Sequence, residues 1–126
     1  MDSFPYCIPC QRELTSEESD LVRYIVENNA PQRLSELGTL KVIARCGCGK
    51  CPTILFGSDL NEKPNTKHPV NEIAEYYGLN SDGVTVGIIL FVRDERLSEL
   101  EAWSPKGEDI ASWPKITSLT KNINNL

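Results

Sequence analysis

The spacing of hydrophobic positions changes near residue 39 and divides the chain into a helical part and a sheet part. In "LTSEESDLVRYIVENNAP", Leu21, Val22, Ile25 and Val26 recur at the period with which a helix presents one apolar face to a core. Thr15 and Glu18 have the spacing of a capping box, in which each side chain satisfies a free amide at the helix start. Asn28, Asn29 and Pro31 close this helix. A second, shorter helical turn in "PQRLSELG" brings Leu34 and Leu37 together and stops at Gly38.

Beyond it the period is that of strands. "TLKVIARC" places Leu40, Val42, Ala44 and Cys46 on one face, with Lys41 and Arg45 on the other. "CPTILFG" is its partner, and the short Gly-rich segment between them predicts an antiparallel hairpin with "GCGK" at its tip. "SDLNEKPNTKHP" is a polar loop. "VNEIAEYYG" fits helix or strand by period; its β-branched and aromatic content assigns it to a strand. "VTVGIILFV" is apolar on both faces and belongs in the middle of a sheet. "LSELEAW" puts Leu100 and Ala102 on one face, and Leu97, Glu99, Glu101 and Trp103 on the other.

The expected fold is α+β: one or two N-terminal helices packed on a mainly antiparallel four- to five-stranded sheet. Residues 1–126 are expected to form a single domain. In it 1–12 is an irregular leader interrupted by Pro5 and Pro9, 13–38 is helical, 39–104 is the sheet, and 105–126 is a docked arm. That arm offers Trp113, Ile116, Leu119 and Ile123 to the core.

Composition narrows the function classes. With 40% hydrophobic and 25% charged residues the chain reads as an ordinary soluble domain, and no apolar run approaches the roughly 20 residues of a membrane span. Its N-terminal "MDSFPYCIPCQRE" lacks the apolar segment of a signal peptide, so the expected location is cytoplasmic. A net charge of −5 argues against a general nucleic-acid binder and suits a basic protein partner, though it also serves solubility alone.

The candidate chemistry lies in the cysteines. "CIPC" and "CGKC" are C-x₂-C pairs, a spacing that lets two thiolates of one turn chelate the same ion. Cys7, Cys10, Cys48 and Cys51 thus form a candidate ligand set for one structural zinc ion, with Cys46 as an alternate ligand. The competing reading is a Gly-rich hairpin whose partly buried cysteines act as small hydrophobes. Five cysteines cannot all pair, and without a secretory signal the thiols are expected to be reduced. A redox dithiol is disfavoured because "CIPC" does not open a helix after a strand.

His68 stands in the polar loop with no orienting group at a recognisable spacing. Glu99 and Glu101 share one side of a strand, whereas paired-carboxylate hydrolysis needs groups facing across a cleft. No P-loop, dinucleotide fingerprint or HExxH occurs, and no enzymatic activity is expected.

"RCGCGKCPTILF", "GVTVGIILFVRDERLSELEAWSPKGEDIASWP" and "RELTSEESDLVRYIVEN" together resemble a set of small bacterial proteins. That set carries an R-C-x-C-G-C-P-[ST] hairpin and a later L-x-E-L-E strand. Several of its members resemble immunity proteins of bacterial toxin systems, including contact-dependent inhibition. The resemblance implies a protein that binds and neutralises a cognate toxin domain. With the acidic charge, the expectation is a monomer in a heterodimeric complex, with a nuclease, whose substrate cleft is basic, as a candidate toxin. Lys50 and the "CIPC" leader depart from the pattern, so the zinc set is no part of what the resemblance implies. On this reading Asp94, Glu95, Glu99 and Glu101 are the acids that would meet a basic toxin. Trp103 is either an aromatic anchor at that interface or a core residue.

Overall fold

In the computed structural model, which describes residues 7–64 and 70–122, the chain builds one antiparallel sheet with its helices on one face. The strands are β1 (Cys7–Arg12), β2 (Lys41–Cys46), β3 (Ile54–Gly57), β4 (Val70–Leu79), β5 (Thr85–Arg93), β6 (Arg96–Trp103) and β7 (Thr120–Lys121). Their order across the sheet is β1-β2-β3-β6-β5-β4-β7. The fold is α+β as expected, but among the described residues the sheet has seven strands rather than four or five. The two additional strands are its outermost ones.

One of them corrects the expectation of an irregular leader over residues 7–12; the rest of that leader, Pro5 included, lies outside the described residues. Residues 7–12 pair with β2 despite Pro9, because an outer strand has one edge whose amides bond nothing in the sheet. The ladder is irregular between Pro9 and Arg12. At the other margin, the C-terminal arm ends in β7, which pairs with Tyr76 and Tyr77. The expectations for His68 and Ile123 lie outside the described residues.

The helix α1 (Ser16–Asn29) begins at the anticipated capping box: Thr15 Oγ1 accepts from Glu18 N at 3.1 Å, and Glu18 Oε1 accepts from Thr15 N at 2.9 Å. Leu21, Val22, Ile25 and Val26 are fully buried against the sheet, each contributing about 1.5–3 kcal/mol of hydrophobic free energy. A 3₁₀ helix, Pro31–Thr39, follows and packs Leu34 and Leu37 against the same core. From the sheet this core takes Val42, Ile54, Phe56, Ala74, Tyr76, Val86, Ile88, Leu90, Leu97, Leu100 and Ala102. Ile110 and Trp113 of the C-terminal segment belong to this core, and Ile116 and Leu119 pack against it.

Two expected face assignments are overturned by β-bulges. In β2 the register shifts between Val42 and Ala44, so Val42 faces the helix while Ile43 and Ala44 join Leu55 in a second, smaller cluster. In β6 the extra residue is Ser98, since Val92 pairs with Leu97 and Phe91 with Glu99. Leu97 therefore lies in the core with Leu100 and Ala102, and not with Glu99 and Glu101. A single inserted residue reverses the alternation on one side of it.

Candidate functional site

The β2–β3 connection carries the thiols. Cys46 N donates to Thr53 O at 3.1 Å and closes the loop, and Gly49, with φ of 71°, makes a turn that an L side chain would strain. Lys50 O accepts from Ile110 N at 2.9 Å, which fastens the loop to the C-terminal arm. Within it Cys46, Cys48 and Cys51 form a group whose sulfur atoms all lie within 4.8 Å of one another. The Cys48 and Cys51 sulfurs are 3.2 Å apart. Lys50 N donates to Cys48 Sγ at 3.3 Å, and Cys51 Sγ donates to Thr53 Oγ1 at 3.3 Å. Three sulfur ligands at this separation can hold a metal ion.

The electrostatics of the three thiols differ. Burial, helped by the neighbouring Cys48 and Cys51 sulfurs and opposed by the Cys48 backbone amide, pushes Cys46 up to about 12. Burial also raises Cys48, but the Lys50 amide and the Cys51 and Cys46 thiols outweigh it, leaving Cys48 below its ordinary value. One exposed sulfur thus favours the thiolate while its half-buried neighbour resists it.

Of the sequence-derived ligand set, Cys48 and Cys51 are in this group, and the alternate ligand Cys46 is its third member. Cys7 and Cys10 are not in it. Cys10 packs against the main core on the helix side, and Cys7 against the Ile43–Ala44–Leu55 cluster on the other. Alternation along a strand, not C-x₂-C spacing, decides where these two point.

The expected partner-binding residues are dispersed. Asp94 and Glu95 form the two-residue β5–β6 turn, both exposed and both with positive φ, 55° and 62°. Glu99, on the sheet face away from α1, is only 2% exposed, with its carboxylate 3.8 Å from Arg93. It is therefore not a surface acid. Burial, then the charge of Glu101, raises it to about 7 against the pull of Arg93. Glu101 is half-buried and raised by burial and by Glu75.

Trp103 is half-buried on the same second face, so it is neither core nor fully exposed anchor. Its Nε1 donates to Glu75 Oε2 at 3.0 Å, and its ring meets Tyr77 edge to face at 5.8 Å. The indole lies over Gly87, where any Cβ would collide with it. Glu75 also accepts from Asn122 Nδ2 at 2.7 Å. Sequence reasoning missed Glu75 and Tyr77; their signal was the alternation of β4 itself, which puts both on the face of Glu101 and Trp103.

A family model described as a domain of unknown function (DUF6984) matches residues 11–114, and the chain belongs to that family. No curated protein and no solved structure matches it.

Proposed function

We propose that this member of the DUF6984 family is an immunity-type protein that binds and neutralises a cognate bacterial toxin domain, with a nuclease as the fitting class. The observation that carries the reading is the second face of the sheet. There Glu75 and Glu101 flank Ile89 across three strands beside Tyr77 and Trp103, all half-buried. Partly desolvated carboxylates beside aromatic rings suit a basic cleft: the charge steers encounter and the rings supply contact area. The overall charge of −5 has the same sign. In this reading the protein acts in the cytoplasm by binding alone, without catalysis.

The test is co-purification with the product of an adjacent toxin gene and rescue of growth from that toxin. Glu101→Lys and Tyr77→Ser are expected to weaken the complex at least tenfold without unfolding the chain. Unchanged affinity in both variants would place the interface elsewhere, and absence of any toxin partner would remove the reading.

A second reading, a zinc-binding or thiol-based module without a toxin partner, is favoured by the three-thiol group. Metal analysis of protein purified without added zinc tests it. Substoichiometric metal, with unchanged folding of Cys48→Ser, would remove it.

A further inference from the structure

Three thiolates cover one face of a coordination tetrahedron and leave one vertex. Zinc–sulfur bonds of about 2.3 Å put tetrahedral sulfurs about 3.8 Å apart, so a group within 4.8 Å needs only small rotations to close on one ion. A donor on the same sheet face, beside the β2 end of the loop, can complete the tetrahedron. Strand register supplies one. Cys7 of β1 is the direct cross-strand partner of Cys46, and opposed residues of an antiparallel pair share a face with their Cβ atoms about 4.5–5.5 Å apart. The surroundings of Cys7 agree. It packs against Ile43, Ala44 and Leu55 and lines one recess with Pro9, Ile43 and Ala44, all on the side away from α1.

We infer that Cys7, Cys46, Cys48 and Cys51 form a tetrathiolate site for a zinc-class divalent ion, and that Cys10 is no part of it. The inference rests on the metal reading of the three-thiol group and adds the ligand that makes the site a structural one, since a closed four-sulfur shell leaves no position for substrate. Cys10 is excluded by position: it packs against the helix-side core, across the sheet from Cys7. The two cysteines of "CIPC" therefore have different fates despite their shared motif. In the assembled site the ion would join the outermost strand to the β2–β3 loop.

X-ray absorption at the metal edge of the purified full chain, loaded with zinc or with cobalt as a spectroscopic probe, counts the sulfurs directly. The expected result is four sulfurs in the wild type and in Cys10→Ser, and three sulfurs with one lighter atom in Cys7→Ser. Affinity for the bare metal should fall at least tenfold in Cys7→Ser and by less than twofold in Cys10→Ser. Three sulfurs in the wild type would overturn the assignment of Cys7 while leaving the three-thiol reading intact. No bound metal in the wild type would overturn both. Should Cys7→Ser fail to fold, the counts in the wild type and in Cys10→Ser decide: four sulfurs in both leave Cys7 as the fourth ligand, and three in Cys10→Ser overturn the assignment.

Discussion

At Glu18 a carboxylate only 3% exposed receives Arg12 through two hydrogen bonds of 2.8 and 3.0 Å, the Thr15 amide, and Trp113 Nε1 at 3.2 Å. Burial raises its pKa, but the Arg12 and Thr15 hydrogen bonds outweigh that and hold it below the ordinary carboxylate range. Its stabilisation is therefore present above that range and lost as pH falls through the lowered value. Glu18→Gln is expected to cost on the order of 2 kcal/mol in urea unfolding at neutral pH and to flatten the acid limb of the stability profile. Glu99 has the opposite sign. Raised to about 7, it contributes stability fully below the ordinary value of 4.5 and loses it as pH rises through about 7. The expected slope through this residue is on the order of 1 kcal/mol per pH unit in that window. Glu99→Gln should abolish it, and an unaltered slope would mean that Glu99 ionises freely in the folded chain. The Thr15–Glu18 cap was legible in the sequence because its spacing is local. Arg12 and Trp113 were not: one reaches Glu18 only because the leader is a strand, the other from 95 residues away.

Among the elements, α1 and β5 followed their periodicity, and β2 and β6 departed from theirs at single residues. A bulge adds one position without any change in composition, so alternation read from sequence runs straight through it. The hairpin tip was legible because glycine marks a positive φ at Gly49, whereas Asp94 and Glu95 adopt that region without glycine. The seam between β3 and β6 is short, with two residue pairs, Ile54↔Leu100 and Leu55↔Glu99. Thr53 lengthens it with its side chain: Oγ1 accepts from Ala102 N at 2.9 Å and donates to Ala102 O at 3.3 Å. Thr53→Val keeps the shape and removes both of these bonds, together with the one Oγ1 accepts from Cys51 Sγ. It should cost about 1–3 kcal/mol and speed hydrogen exchange at the Ala102 amide. Unchanged exchange there would show that the seam holds without the hydroxyl.

For the molecule as a whole, that seam joins a half made of β1, β2 and β3 to a half made of β6, β5, β4 and β7, and the C-terminal arm bridges them. The arm bonds the thiol loop through Ile110 N, reaches Glu18 through Trp113, and pairs with β4 as β7. Ile110→Ala is expected to cost about 2–4 kcal/mol and to raise exchange across residues 46–53, coupling a core position to the thiol loop. Loss of stability without that exchange would confine Ile110 to core packing. The fold class was legible because helix and strand periods are strong over long segments; the outermost strands were not, being short and, in one case, crossed by proline. The bulge in β6 has a consequence for length variation in the family. Ser98 is supernumerary, so its deletion would leave Leu97 and Leu100 inward, Glu99 outward, and the strand regular. Deleting Glu101 would instead shift the frame, turning Ala102 outward and driving Trp103 into the core. Chains one residue shorter in this strand should have lost it at Ser98 or its immediate neighbours, where the sheet keeps a spare position.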